Sequence, residues 1–230
     1  MKPRAIVAWS SGKDSAYALH VLRERAEVDV VALFTTVTAP FARVSMHGVR
    51  TELLREQAAR AGLPLWEVEI PRPCSNAEYD AAMRRLVERA RREDVQRIAF
   101  GDLFLEDVRR YREERLSGTG VEPMFPLWGI PTAALAKEML NAGVEAVLTC
   151  IDPRKVPRAL AGRRYDAALL DALPADVDPC GENGEFHTFV TAGPMLSAPI
   201  AVNVGPTVER DGFVFTDVTL RGAAPERRSV

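Results

Sequence analysis

The stretch Ser10-Ser11-Gly12-Lys13-Asp14-Ser15 decides the fold that this sequence predicts. An apolar run of strand length, residues 5–9, precedes it, and residues 14–26 have the pattern of a helix, so the hexapeptide is the turn of a strand–turn–helix unit. Such a turn presents unpaired backbone N–H groups at the positive end of a helix dipole, where proteins bind anions. Serine hydroxyls and the Lys13 ammonium add donors and charge. The sequence therefore predicts a polyphosphate site at this turn.

Two better-known phosphate loops do not fit the hexapeptide. A Walker A loop needs a glycine and a Ser or Thr where this chain has Val7 and Asp14, and the dinucleotide fingerprint needs three spaced glycines where only Gly12 is present. The hexapeptide instead resembles the PP-loop of the N-type ATP pyrophosphatases, usually written Ser-Gly-Gly-x-Asp-Ser. Ser11 stands at a position where glycine is more usual, so either the loop needs no positive φ there or it carries strain. A serine-rich helix cap with a chance lysine is the alternative.

The composition lacks the charge expected of a nucleic-acid-binding protein. The 230 residues suffice for one large domain, with or without a smaller appendage. A formal charge of −2 and a pI near 6.0 give no basic surface for tRNA or DNA. No run of ~18 apolar residues occurs, and three scattered cysteines fit no disulfide framework. We expect a cytoplasmic protein with reduced thiols and no membrane partner, for which nucleic acid is an unfavourable substrate; a homodimer is compatible with these features.

Helical and strand-like segments alternate along the first 150 residues, which predicts an α/β fold with a parallel sheet. The predicted strands are residues 5–9, 30–36, 65–70, 97–101 and 144–151. A capping box, Ser75 with Glu78, predicts the start of one of the intervening helices. We expect a nucleotide-binding domain over residues 1–120, whose sheet the strand at 144–151 completes, a smaller substrate domain over 121–222, and a frayed tail over 223–230.

Ligands of parallel α/β sheets bind beyond the carboxyl ends of the strands, so the residues that follow each strand are candidates. Met46 and His47 follow the second strand, where they could bind an adenine edge or simply begin a helix. Gly101 and Asp102 follow the fourth strand, where the carboxylate could hold Mg²⁺ or cap the next helix. That helix carries a charged run, residues 109–115, which is typical of a solvated face.

The second half contains two stretches with candidate site residues. Residues 122–129 are rich in proline and aromatics and predict a packed loop, in which Trp128 either contacts substrate or packs at a domain junction. Residues 178–188 predict a turn-rich loop that leads into a strand, with Glu185, His187 and Phe189 on one face. Glu182, Glu185 and His187 would then converge. A solvated hairpin is the alternative.

These motifs occur in the same order in the diphthine-ammonia ligase-related family, which the chain resembles from about residue 4 to 204. The resemblance implies an adenine nucleotide α-hydrolase-like sheet of five parallel strands in the order 3-2-1-4-5, followed by a smaller C-terminal α+β domain. It also implies ATP with Mg²⁺, ammonium, and a carboxylate acceptor. On this reading the nucleotide-binding residues are Ser10, Ser11, Gly12, Lys13, Asp14, Ser15, Met46, His47, Gly101 and Asp102. The substrate-binding residues would be Trp128, Gly181, Asn183 and Gly184, and the catalytic ones Lys13, Glu182, Glu185 and His187.

The predicted reaction has two halves. A carboxylate attacks the α-phosphorus of ATP while pyrophosphate leaves toward the loop, and ammonia then displaces AMP. The three candidates near residue 185 would bind ammonium or accept its proton. A tRNA-modifying PP-loop enzyme is a competing hypothesis, although it would usually need a basic face and a pair of catalytic cysteines. A binding module of the universal-stress type is another, although it would not need the acid-rich second domain.

Overall fold

The computed structural model describes residues 1–38, 43–44 and 49–222, with the backbone alone at 43–44. Helices and strands alternate in the first half of the chain, and most strands of the second half form a sheet of their own. The strands are β1 (Arg4–Ala8), β2 (Asp29–Thr38), β3 (Arg43–Val44), β4 (Leu65–Ile70), β5 (Arg97–Ala99), β6 (Glu122–Met124), β7 (Glu145–Ile151), β8 (Phe186–Ala192), β9 (Val202–Arg210) and β10 (Phe213–Leu220). The helices are α1 (Lys13–Arg25), α2 (Thr51–Ala61), α3 (Asn76–Arg92), α4 (Glu106–Leu116), α5 (Thr132–Asn141) and α6 (Ala167–Ala172).

Five parallel strands form the first sheet, in the order β4-β2-β1-β5-β6. Numbered among themselves along the chain, these strands have the order 3-2-1-4-5, so the predicted fold class is confirmed. The short β3 pairs antiparallel with the end of β2. The strand order reverses beside β1, so the loop after β1 lies where a ligand of such a sheet is expected.

The predicted identity of the fifth parallel strand is wrong. Residues 145–151 do form a strand, β7, but it pairs antiparallel with β8 and β10 in the second sheet. The fifth place in the first sheet belongs to β6, which lies within the stretch expected to be a loop. Pro123 is tolerated there because β6 is an edge strand. An apolar run such as β7 shows that a strand is buried, but it does not identify the strand's neighbours.

The second sheet has four strands in the order β8-β7-β10-β9. Its hairpin between β9 and β10 turns at Asp211 and Gly212, where φ is 54° and 80°, as the Asp-Gly pair predicts. The β7–β8 pairing brings the loop before β8, residues 178–185, to the side of the first sheet that carries the loop after β1.

The two sheets share buried side chains. One apolar cluster extends from β1 and α1 through α5 to β7 and β8, and a second lies on the other face of the first sheet, under α3 and α4. Alternate residues of β1 supply the two clusters, with Val7 in the first and Ile6 in the second. The second sheet therefore packs against the α1 side, beside the loop that follows β1.

Within the part of the chain that the structure describes, we find no helix with the length and apolar character needed to cross a membrane.

Candidate functional site

The loop after β1 closes onto the first turn of α1, as the sequence predicts. Gly12 is the N-cap residue of α1, and the hydroxyl of Ser15 donates to the Gly12 carbonyl at 3.0 Å. The hydroxyls of Ser10 and Ser15 lie 3.1 Å apart. Ser11 adopts φ 72°, so the loop does need a left-handed residue, and here serine supplies it. Its hydroxyl is buried and has no hydrogen-bond partner among the described residues.

The side-chain amide of Gln57, in α2, holds this strained loop in its conformation. Its amide nitrogen donates to the carbonyls of Ser11, at 3.1 Å, and Val190, at 2.7 Å, and its amide oxygen accepts from the indole of Trp9 at 2.9 Å. Gln57 is completely buried. The sequence reasoning missed it, although a glutamine on the apolar face of α2 is a recognisable signal, because a buried polar side chain needs partners.

Strand β8 of the second sheet lies directly against the loop. The Val190 N–H donates to the Ser11 carbonyl at 3.0 Å, and the Lys13 N–H donates to the hydroxyl of Thr188 at 3.1 Å. A side chain at Gly12 would place its Cβ 3.3 Å from the carbonyl oxygen of Thr188. Thr188 was missed because its partner lies 175 residues away in sequence. The conformation of the loop therefore depends on both halves of the chain.

Lys13 points into the protein rather than lying open to solvent. Its side chain is 2% exposed, its Nζ lies 2.9 Å from both carboxylate oxygens of Asp14, and it also donates to the Cys180 carbonyl. The rings of Tyr165 and Phe186 lie 5.5 and 5.4 Å from Nζ. Burial, the largest single effect, favours the neutral amine, but Asp14, Cys180 and Asp178 together outweigh it and hold the pKa of Lys13 above its ordinary value. Lys13 is thus a buried cation where the residues of the first sheet meet those of the second.

Gly101 and Asp102 lie at the end of β5, next to the first turn of α1. A Cβ on Gly101 would be 2.8 Å from the Ser15 nitrogen, so only glycine fits. Asp102 accepts from Arg112 at two atoms, Nε at 2.8 Å and Nη2 at 3.4 Å. The alternative that Asp102 caps the next helix is wrong, because α4 has Leu105 as its N-cap residue. Its predicted role toward Mg²⁺ stays a prediction; no cluster of three His, Cys, Asp or Glu side chains suited to a metal occurs among the described residues.

Glu182 extends from the second half of the chain to the end of β5. Its carboxylate accepts from the Leu103 N–H at 2.8 Å, while its own N–H donates to Asp178 at 2.8 Å. Burial raises the pKa of Glu182 to about 7, with the Asp14 and Asp102 carboxylates adding to the shift and the Leu103 hydrogen bond opposing it. The predicted acidic loop therefore supplies a carboxyl group that titrates near neutral pH.

Glu185 and His187 do not share one environment, although they were predicted on one face. Glu185 is buried, and its carboxylate accepts from the Asn183 amide at 3.1 Å and the Asp178 N–H at 3.4 Å, so a solvated hairpin does not describe it. It supports the loop and is not among the residues that line the central cavity. His187 does line the cavity, and burial lowers the pKa of its imidazole to about 4, so the ring is neutral at pH 7.

A cavity of about 840 Å³ joins these residues at the carboxyl edge of the first sheet. Both halves of the chain line it, and its walls continue between α3 and α4. The predicted site residues found in its lining are Ser10, Gly12, Lys13, Asp14, Ser15, Gly101, Asp102, Gly181, Glu182, Gly184 and His187. This volume lies within the range of ~300–1,000 Å³ that is usual for sites that bind drug-sized ligands and cofactors.

Other predicted residues lie away from this cavity or outside the described residues. Trp128 packs edge-on against Phe125, with ring centroids 5.8 Å apart, and under the Arg109 guanidinium. These contacts correspond to the alternative in which Trp128 packs against other side chains of the protein. Asn183 is exposed, and its carbonyl accepts from Lys155. Met46 and His47 lie outside the described residues, so their adenine contact stays a prediction.

Arg112 belongs to the site although the sequence assigned it to a solvated face. It lines the cavity, its ion pair with Asp102 is 2.8 Å long, and its guanidinium lies 4.2 Å from the centroid of the Phe100 ring. The signal that could have found it is helical spacing, because Leu105, Val108 and Arg112 recur on one face of α4.

Comparison with known proteins matches most of the chain to one family of domain models and to curated proteins that share one name. Models of the diphthamide synthase N-terminal domain and C-terminal domain match residues 3–122 and 131–217. The diphthine–ammonia ligase of Rattus norvegicus is 24% identical over 63% of this chain and 56% of its own length. The namesake protein of Danio rerio is 26% identical over 70% of this chain and 69% of its own length. The diphthine–ammonia ligase of Mus musculus is 23% identical over 91% of this chain and 86% of its own length.

A solved structure was also found, described as a predicted subunit of tRNA methyltransferase from Methanocaldococcus jannaschii. It covers 63% of this chain and 80% of its own at 15% identity and a TM-score of 0.45. The two domain models, by contrast, match nearly the whole described chain in their natural order. The chain therefore belongs to the diphthamide synthase family.

Proposed function

We propose that this protein is an ATP-dependent ligase that adenylates a carboxylate, releases pyrophosphate and transfers ammonia to the acyl-adenylate. The observation that carries the proposal is the meeting of the loop at residues 10–15 with Glu182 across one cavity. The loop supplies the helix N-terminus and hydroxyls that suit a polyphosphate. Glu182 supplies a carboxyl group whose pKa of about 7 suits proton transfer. The names of the relatives support ammonia as the second substrate.

In the first half-reaction, an oxygen of the acceptor carboxylate bonds to the α-phosphorus, and the bond to the β-phosphate bridging oxygen breaks. Pyrophosphate leaves toward Ser10, Gly12 and the first turn of α1, where hydroxyl and backbone donors meet its charge. Asp14 and Asp102 would hold Mg²⁺ here, since the ion commonly binds one or two carboxylates together with substrate phosphates and both side chains line the cavity, where Lys13 and Arg112 now pair with their oxygens. When bound, it would neutralise charge on the leaving group.

In the second half-reaction, the nitrogen of ammonia attacks the acyl carbon, the C–N bond forms, and AMP leaves with its oxygen. The attacking nitrogen must lose a proton, and Glu182 is the best-placed acceptor of the three candidates because it is in the cavity and titrates near neutrality. His187, with a pKa of about 4, is a weak base. We assign it the role of a neutral hydrogen-bonding group in the cavity lining. Glu185 holds the loop that carries Glu182.

The test is the identity of the nucleotide product. Wild-type protein incubated with α-labelled ATP, Mg²⁺, ammonium and a panel of carboxylates, diphthine-bearing elongation factor 2 among them, should form AMP and pyrophosphate only with an accepted carboxylate. The variant Glu182→Gln should lose about 10²–10⁴-fold in amide formation. Tight ATP binding with no AMP under any condition would favour the binding-module alternative, and ADP as the product would contradict the proposed chemistry.

A further inference from the structure

The cavity continues past the nucleotide loop into a channel between α3 and α4. The channel walls are apolar side chains at the ends of strands and on the facing sides of the two helices. They are Ile70, Met83, Phe100, Leu105 and Val108. A triphosphate would gain nothing from such walls, whereas they would desolvate an adenine ring or the body of an organic acceptor, and the effect of a channel substitution on nucleotide binding distinguishes the two.

Charge in this cavity is unevenly distributed. Among the described lining residues, Lys13 and Arg112 are the only permanent cations, while Asp14, Asp102 and Glu182 are acids. The Nζ of Lys13 is committed to Asp14 and the Cys180 carbonyl and is 2% exposed. Arg112 is 24% exposed, so it is the cation that a second anionic substrate can reach.

The Arg112 guanidinium is also held in one orientation. Its Cζ lies over the Phe100 ring, 4.2 Å from the centroid, and two of its nitrogens, Nε and Nη2, pair with Asp102. Tyr79 also accepts a hydrogen bond from the guanidinium, and the N–H donors that remain are oriented for a ligand oxygen at little entropic cost, which is how arginine recognises carboxylates.

We propose that Arg112 and the channel between α3 and α4 form the acceptor subsite, which takes a carboxylate with an apolar body. The choice of a carboxylate rests on the proposed function. The channel would desolvate the body of the acceptor, and Arg112 would bind its carboxylate beside Asp102, one residue from Gly101 and hence next to the turn that begins α1. Arg112 is a substrate-binding residue in this assignment, and no covalent step passes through it.

The experiment measures binding without turnover. The probes are phenylacetate and its uncharged amide, phenylacetamide, titrated at pH 8 into protein saturated with Mg²⁺ and α,β-methylene ATP. We expect wild type to prefer phenylacetate, and Arg112→Gln to bind it about tenfold more weakly, the loss typical of one charged hydrogen-bonding pair. Binding of phenylacetamide and of the nucleotide analogue should stay within about twofold of wild type.

Three variants make the result interpretable. Arg115→Gln is the matched control, because Arg115 lies on the same helix but pairs with Asp80 outside the cavity lining, and it should behave as wild type. The double variant Asp102→Asn with Arg112→Gln leaves no orphaned carboxylate, so it should fold even if the single variant does not; because Asp102 is also the Mg²⁺ candidate, it is compared with wild type without Mg²⁺ and nucleotide, where it should show the same loss of phenylacetate. Val108→Trp should narrow the channel and weaken both probes while sparing the nucleotide analogue.

Several results would overturn the assignment. Unchanged phenylacetate affinity in folded Arg112→Gln or in the double variant would make the ion pair purely structural. An equal loss of nucleotide affinity would assign the guanidinium to a phosphate. Equal affinity of wild type for the acid and the amide, or no binding of either, would remove the subsite. AMP formation with any of these results would leave the proposed function standing, whereas Arg112-dependent binding with ADP as product would contradict the proposed function alone.

Discussion

At the scale of single residues, Ser11 holds a backbone conformation that glycine adopts at little cost. Its φ of 72° costs about 1–2 kcal/mol for a residue with a Cβ. We expect Ser11→Gly to be more stable than Ser11→Ala by about 0.5–1 kcal/mol, because both remove the buried hydroxyl but only glycine relieves the backbone. Urea unfolding of the two variants measures the difference. Equal stability, or a more stable alanine variant, would contradict the positive φ.

Lys13 is a buried ion-pair partner, which changes what its removal should do. The sequence alone predicts that Lys13→Ala loses turnover and keeps its fold, since the lysine would serve only phosphates. The structure adds a cost, because Asp14 and the Cys180 carbonyl lose their cation. We expect Lys13→Met to lose nucleotide turnover and also about 3 kcal/mol of unfolding free energy.

The control for this change is Lys155→Met. Lys155 is exposed and its ammonium donates to the Asn183 carbonyl at 3.1 Å, so its loss should change stability by less than about 0.5 kcal/mol. Denaturant unfolding followed by circular dichroism gives both values. If Lys13→Met were as stable as Lys155→Met, the contacts of Lys13 with Asp14 and the Cys180 carbonyl would not contribute to the free energy of unfolding.

Glu182 should make stability depend on pH in an identifiable direction. Its pKa is about 7 when folded and near 4.5 when unfolded, so between these values the folded state holds a proton that the unfolded state has lost. The contribution of Glu182 to unfolding free energy therefore falls as pH rises from about 4.5 to 7. We expect Glu182→Gln to gain stability relative to wild type across this window, measured by urea unfolding at pH 5 and 8. A difference that stays constant with pH would refute the raised pKa.

The sequence predicted the strand–turn–helix unit around residues 10–15 better than the surroundings of its side chains. Local chemistry identifies the turn, because a strand, a polar hexapeptide and a helix follow one another within 25 residues. It does not show that Lys13 points inward, since, apart from Asp14, the groups that enclose Lys13 belong to Tyr165, Cys180 and Phe186, 152 and more residues away. The sequence also does not show that Glu185 and Glu182 have different surroundings, because alternation along β8 does not predict the path of the loop that precedes it.

At the scale of elements, the end of β5 and the first turn of α1 are in such close contact that no side chain fits between them. A Cβ at Gly101 would lie 2.8 Å from the Ser15 nitrogen and 2.9 Å from the Asp14 carbonyl carbon, both rigid backbone atoms. We expect Gly101→Ala to cost about 1–3 kcal/mol of stability and to weaken ATP binding, because α1 must shift away from the loop. Calorimetric titration with ATP and Mg²⁺ measures the second effect.

Gly143→Ala serves as the control for the element contact. Gly143 has φ +84° but nothing within 4 Å of the added Cβ, so alanine there costs backbone strain at a site remote from the loop. It should lower stability by a comparable amount while ATP affinity stays unchanged. Equal loss of ATP affinity in both variants would mean that general destabilisation, and not the displacement of α1, weakens binding.

Elements were predicted well where local signals are strong. The capping box at the start of α3 forms, with Ser75 accepting from Glu78 N–H and the Glu78 carboxylate accepting in return. The assignment of strands to sheets failed at β6, which has three residues and a proline, and at β7, whose apolar run suits either sheet. Strand pairing depends on residues that are distant in sequence, so the residues of one strand do not identify its neighbours in the sheet.

At the scale of the whole molecule, the predicted boundary at residue 120 separates two halves that share the phosphate loop. The loop takes the Val190 N–H, the Thr188 hydroxyl and the Cys180 carbonyl from the second half. We expect a fragment of residues 1–130 to lack ATP binding, because these partners and the shared apolar cluster are missing. Equilibrium dialysis with ATP tests it, with the full chain as the positive control. A fragment that binds ATP as the full chain does would establish an independent nucleotide domain.

The contact between the loop and β8 also has a consequence for the protein during its synthesis. The hexapeptide leaves the ribosome early, but its partners Thr188 and Val190 are made some 175 residues later. At about 5–20 residues per second, that interval is on the order of ten seconds or more. Throughout it, the nascent chain has its phosphate turn without the strand that shapes it. The order of translation thus delays the final shape of this turn, and with it the proposed binding of a nucleotide, until β8 has been made.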